Sequence, residues 1–336
     1  MTQIYPQKKE RQSMKKLLVA VLSVAMILSL AACGGNSAAK KELTLATGGT
    51  SGTYYAVGNT MATVLNDSLK LSKLNVTSTG ASKANVQLVT GGDALLAILQ
   101  SDVLNYAHTG TGGESMFEGK PEPKGKWVAG LYNETVQIVA TGDIKSVADL
   151  KGKAVCVGDV GSGTALNAAQ VLEAYGMSFS DVKVINASFG NGADMIKNGT
   201  CDAAFTVAGA PTSALTDLFA TASANLNLHM LSLDGDAVKF LTGHYPFLVQ
   251  EDLPANTYKG QADAVTCVAV KAVLVASEDV STDAVYELTK ALFDNNAALK
   301  SGHAKFDGLT AAKAIDGSFD LHPGAEKYYK AVGALK

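Results

Sequence analysis

Two segments of this chain share one plan, and that plan restricts the fold more than any other feature. Leu43-Thr44-Leu45-Ala46-Thr47 reads as a strand. It passes through Gly48-Gly49-Thr50-Ser51-Gly52-Thr53-Tyr54-Tyr55 into a segment where Val57, Met61, Val64, Leu65 and Leu69 recur at helical spacing. Residues 154–157 likewise run through Gly158-Asp159-Val160-Gly161-Ser162-Gly163-Thr164 into a helix face marked by Ala165, Ala169 and Leu172. A glycine-rich turn between a strand and a helix leaves free N–H groups at the carboxyl end of a sheet, where α/β proteins bind ligands. Two such units predict an α/β chain with two lobes, each on a largely parallel sheet, facing each other across a cleft.

The remaining elements fit this plan. Strands are expected at 74–79, 127–131, 136–140, 182–185 and 203–207, the last leading into Ala208-Gly209-Ala210-Pro211. Gly80-Ala81-Ser82 opens a helix containing Asn85, Leu88 and Val89, and apolar runs flank Gln100-Ser101-Asp102. Residues 265–276 form a long β-branched run. Val285, Leu288, Leu292 and Leu299 predict a long final helix with Gly302 as its C-cap. The first lobe is expected to hold 43–137 plus 247–336 and the second 138–246, with hinges near 137–140 and 245–250.

Residues 1–32 read as a signal peptide with Met14 as the true initiator. Lys15-Lys16 precedes an apolar run at 17–30, interrupted by Ser23 and Ser29 and too short for the ~20 residues of a membrane span. Leu30-Ala31-Ala32-Cys33 is similar to the bacterial lipoprotein box. That likeness implies lipid on Cys33, with 33–42 as a tether and the folded part held outside the cytoplasmic membrane.

The leader also masks the charge. It removes five of the 28 basic residues and one of the 31 acidic ones, so the rest carries 23 against 30, a net charge of -7. Arg11 is the only arginine in the chain. Nucleic-acid binding is therefore not expected, and an anion must be held by lysine, hydroxyls, backbone N–H groups or helix N-termini. Cys156, Cys201 and Cys267 read as buried apolar thiols, with a Cys156–Cys201 bridge as the alternative.

Known catalytic patterns are missing. Neither glycine-rich loop ends in Gly-Lys-Ser/Thr, and Val160 stands where a Gly-x-Ser-x-Gly elbow needs its first glycine. The five histidines do not pair at metal spacing, so neither metal nor cofactor is expected. For Ser162-Gly163-Thr164, simple helix capping and ligand contact are both open readings. Tyr54, Tyr55 and Tyr132 fit either core or cleft wall.

The ordered set of motifs resembles the TAXI family of TRAP-transporter solute receptors. The set comprises Thr47–Tyr55, Gln100-Ser101-Asp102, Ser146–Lys153, Gly161–Thr164, Ala208–Thr212, Tyr245-Pro246-Phe247 and Leu321–Ala325. The resemblance runs from about Leu43 to Tyr329. It implies a type II periplasmic-binding-protein fold, two α/β lobes around a ligand cleft, and no enzyme activity. It implies a monomeric receptor for a small organic acid or amino acid such as glutamate, glutamine or 2-oxoglutarate. Its partner would be a TRAP membrane permease, with fused subunits, driven by an ion gradient. By motif position the implied ligand-binding residues are Gly49, Thr50, Ser51, Tyr54, Tyr55, Ser82, Asn85, Ser101, Tyr132, Ser162, Gly163, Thr164 and Gly209. Ala81 departs from the second glycine of the family's Gly-Gly-Ser pattern. The alternatives are the binding lipoprotein of an ATP-driven (ABC) importer and an enzyme or sensor module on the same fold.

Overall fold

A computed structural model describes residues 40–113 and 116–336. The expected signal peptide at 1–32, with Met14 as its expected initiator, and Cys33 lie outside the described residues. No described helix is long and apolar enough to cross a membrane.

Ten strands form one continuous sheet: β1 (Lys41–Ala46), β2 (Ser72–Thr77), β3 (Leu96–Gln100), β4 (Gly125–Ala140), β5 (Ala154–Cys156), β6 (Lys183–Ile185), β7 (Ala203–Ala208), β8 (His229–Met230), β9 (Val249–Leu253) and β10 (Val265–Ser277). Their order is β2-β1-β3-β10-β4-β7-β5-β6, with β8 added beside β4 and β9 beside β10. At one end β2, β1 and β3 are parallel, and at the other β7, β5 and β6 are parallel.

The two ends are joined by β4 and β10, which run antiparallel to each other from Gly125 opposite Ser277 to Thr135 opposite Ala269. Midway, β4 gains a new neighbour and β10 exchanges one for another. Beyond Thr135, β4 pairs with β7; β10 leaves β9 at Ala269 and meets β3 at Ala272. Register shifts fall between Ala272 and Val273 and between Leu274 and Val275. The single strand β4 replaces the two expected at 127–131 and 136–140. The polar residues between them find partners: Asn133 and Thr135 donate to Glu251 at 2.6 and 2.9 Å, and Glu134 accepts from Tyr54.

Helices cover both faces, giving each end its own apolar cores. Leu43, Leu45, Val57, Met61 and Leu274 belong to one, with Val86, Val103 and Trp127 on the opposite face. At the second end, Val136, Ile138, Val155 and Phe205 pack with Leu248, Val268 and Val270, while Leu253, Val265 and Cys267 pack with Val139 and Cys156. Residues 248–270 therefore belong by packing with the second lobe. By packing and strand pairing, the return to the first lobe drawn at 247 falls instead in the middle of β10. The other crossing lies in β4 around Thr135, slightly before 137–140.

The final helix is also revised. The run containing Val285 to Leu299 is two helices, α8 (Thr282–Asp294) and α9 (Asn296–Gly302), broken at Asn295, whose amide donates to the Ala291 carbonyl. Gly302 is not a cap: a Cβ there would lie 2.7 Å from Thr60, so the glycine admits close packing against that residue. Two helices follow, α10 (Ala311–Ala314) and α11 (Pro323–Ala331). The Leu321–Ala325 motif is architectural. His322 caps α11, Pro323 fills its first turn, and Gly324 lets α11 approach α8, where a Cβ would meet the Thr282 carbonyl at 2.3 Å. Cys156, Cys201 and Cys267 are free and buried, with no Cys156–Cys201 bridge.

Candidate functional site

A cavity of about 40 Å³ lies where the two ends of the sheet face each other. Four helices begin at its wall. From the first lobe come α1 (Thr53–Leu65), which follows β1, and α2 (Ser82–Gly91), which follows β2. From the second lobe come α4 (Gly163–Ala174), which follows β5, and α5 (Phe189–Lys197), which follows β6. None of the four carries an acidic residue in its first turn. Their N-terminal partial positive charges are therefore not neutralised from within the helix, and they converge from both lobes.

Local chemistry fixes these helix starts. Ser162 caps α4 by accepting from Ala165 N–H at 3.1 Å, and Ser188 caps α5 by accepting from Asn191 N–H at 3.4 Å. Ala81 precedes α2 with φ 68° and ψ −147°, a region that glycine enters freely and other residues enter under strain. This is the position where the chain departs from the expected glycine.

The lining contains no lysine, arginine or histidine; its ionisable groups are Glu134, Asp159 and Tyr54. Glu134 is buried on β4, and Tyr54 Oη donates to its carboxylate at 2.6 Å. Burial, reinforced by nearby Asp102, pushes the Glu134 carboxyl well above the usual range, against the lowering effect of the Tyr54 hydrogen bond. Burial, then the charge of Glu134, pushes the Tyr54 phenol well up. Burial alone raises Asp159. Gln100 completes the wall. Its Nε2 donates to Asn167 at 3.0 Å, while its buried Oε1 has no partner.

Six of the residues named from the sequence line the cavity: Gly49, Tyr54, Ser82, Ser162, Gly163 and Thr164. The other seven lie elsewhere. Thr50 is exposed, and the Ser51 carbonyl accepts from the hydroxyls of Thr212 and Ser213 across the lobes. Tyr55 is half-buried away from the lining. Asn85 is a fully buried staple, donating to the Thr47 and Ile98 carbonyls and accepting from Thr79. Ser101 is buried at the start of α3 (Ser101–Thr109). Tyr132 lines a separate groove with Lys271 and Lys305. The Gly209 carbonyl accepts from Thr53 Oγ1 at 3.0 Å.

The end of the second glycine-rich loop turns inward at Ser162-Gly163-Thr164, although Val160 within the loop is exposed. Gly163 is buried, and a Cβ there would lie 1.7 Å from Gln100 Oε1. Sequence reading missed Gln100, Glu134, Asp159, Ser188 and Phe189. Glu134 did leave a signal, as a lone acid in an otherwise strand-like stretch. Ser188 had only the signal of a serine three residues after the 182–185 strand.

Several solved structures share the architecture. PhnD1 from Prochlorococcus marinus (MIT 9301), solved with methylphosphonate, is 13% identical with a TM-score of 0.53, over 88% of this chain and 99% of that one. The periplasmic binding protein BugD is 12% identical with a TM-score of 0.53, over 88% and 94%. A Streptococcus mutans structure reported for glutathione import via GshT and the cystine ABC importer TcyBC is 14% identical with a TM-score of 0.50, over 85% and 99%. The chain thus has the two-lobed α/β fold of the periplasmic binding proteins. Residues 45–333 match the NMT1-like family model, and the chain belongs to the NMT1-like family.

Proposed function

We propose that this chain is an extracytoplasmic solute receptor, not an enzyme, that encloses a small organic acid or amino acid and delivers it to a membrane permease. The observation that carries this reading is the convergence on one cavity, which no lysine, arginine or histidine lines, of four helix N-termini, two from each lobe, with no acidic residue in their first turns. A carboxylate bound there would gain N–H hydrogen bonds from both lobes at once, so binding and closure would reinforce each other. Glu134 then discriminates among acids. Ionised, it accepts the ammonium of an amino acid; protonated, it donates to a second carboxylate.

The permease of this proposal is a TRAP type driven by an ion gradient. The support is the motif resemblance together with the absence of arginine after residue 11. The lipid anchor on Cys33 rests on the lipoprotein-box likeness. Replacing Cys33 with serine should release the protein from membranes into the soluble extracytoplasmic fraction.

The direct test is a thermal-shift screen with L-glutamate, L-glutamine, 2-oxoglutarate and related dicarboxylates. A true ligand at ~100 times its Kd adds ~2.7 kcal/mol of stability. A flat response across amino acids, keto acids and dicarboxylates would overturn the carboxylate reading. Uptake by cells carrying receptor and permease should collapse with an ionophore and survive ATP depletion; the reverse would assign an ATP-driven importer.

A further inference from the structure

A buried polar cluster bridges the two lobes beside the cavity. Gln100 at the end of β3 and Asp102 in the first turn of α3 come from the first lobe. Asn167 and Gln170, on α4, come from the second. Asn167 Oδ1 accepts from Gln100 Nε2 at 3.0 Å. Its Nδ2 reaches Asp102 Oδ2 at 3.3 Å and Gln170 Oε1 at 2.8 Å. Asp102 also accepts from Val103 N–H at 2.7 Å. All four side chains are buried: Gln100 1%, Asp102 2%, Asn167 0% and Gln170 4% exposed.

We infer that Asn167 is a positioning residue that latches the lobes together and orients Gln100 against the ligand. This deepens the receptor reading and rests on it. Asn167 does not line the cavity, whereas Gln100 does. The wall of the site is therefore set on one lobe by an amide belonging to the other, a contact that exists only while the lobes meet. Closing strips water from four polar groups, and only complementary hydrogen bonds offset that cost. An amide suits this place because it donates to Asp102 and accepts from Gln100 at the same time. A carboxylate at 167 would keep the acceptor and turn the donor toward Asp102 into a repelling oxygen.

The test reads the distance between the lobes. Lys73 on β2 and Lys183 on β6 are exposed and lie on the two outermost strands. Spin labels on Lys73→Cys and Lys183→Cys, in the full chain carrying Cys33→Ser and stripped of co-purified solute by refolding, report closure by double electron–electron resonance. The three remaining cysteines are buried and will not label. Without added solute, Asn167→Asp should lower the closed-to-open ratio by about tenfold or more, as expected for losing a buried hydrogen bond to a charged group. The exchange Asp102→Asn with Asn167→Asp restores one amide facing one carboxylate and should return the distribution toward wild type. A residue that merely packs would show no such rescue. Should Asn167→Asp fail to fold, Asn167→Ala removes the contact without adding charge and should shift the distribution in the same direction. Unchanged distances in the single variants, or no recovery in the exchange, would overturn the latch. The solute screen decides the receptor reading separately, because this distance measurement needs no ligand.

Discussion

Ala81 holds φ 68° beside the cavity, where the methyl group costs backbone energy that glycine would not. Strained positions of this kind cost of order 1–3 kcal/mol. Ala81→Gly should therefore raise stability by about 1 kcal/mol, part of the relief being offset by the greater freedom of glycine in the unfolded chain. A urea titration will show the midpoint rise; a fall would mean that the methyl contributes more by packing than it costs in strain. Gly163 presents the opposite case. A methyl there meets Gln100 Oε1 at 1.7 Å, so Gly163→Ala must displace a buried side chain. Overpacking of this sort costs about 1–3 kcal/mol. Shortening the neighbour with Gln100→Ala in the same chain should recover part of that loss, and strictly additive changes would show that the two residues do not compete for space.

At the scale of elements, the site is a set of helix starts held at strand ends, and much of it was legible. The glycine-rich loops announced α1 and α4, because a strand, a run of small residues and a helical repeat are local signals. Asn85 and Ser101 were misplaced for a related reason. Their motifs mark the correct loops, but which hydroxyl or amide turns into the cavity depends on packing from distant strands. Glu134 was missed because its environment is made by residues remote in sequence: Tyr54 from α1 and the cavity wall from the other lobe. The α3 start carries a pH signature. Burial pushes Asp102 up to about 6, against the lowering effects of Val103 N–H and Asn167. An unfolded aspartate titrates near ~3.9, so the folded chain holds this proton more tightly. The stabilising effect is complete below about pH 4 and is lost as pH rises through about 6, a change of about 3 kcal/mol. Asp102→Asn should flatten part of that fall and stabilise the protein near neutral pH. A slope of the same sign should remain, because Glu134 is raised as well. Urea midpoints measured across this range will show it; an unchanged slope would mean that Asp102 titrates normally.

For the whole molecule, β4 and β10 are, among the described residues, the only strands shared by both ends of the sheet, and each changes partner near its middle. Bending there would swing the α1 and α2 starts away from those of α4 and α5, opening the cavity without disturbing either core. Small-angle scattering should give a smaller radius of gyration with saturating solute than without it, as hinge closure requires. An identical radius would mean that solute enters a chain already closed.

The most direct measurement is a crystal structure with the solute that gives the largest thermal shift. The account predicts a carboxylate at the N–H groups that open α1 and α4, within hydrogen-bonding distance of Gly163 or Thr164, with Glu134 on the ligand's remaining polar group. A solute bound instead in the groove lined by Tyr132, Lys271 and Lys305, with the cavity between the four helix starts unchanged, would contradict it.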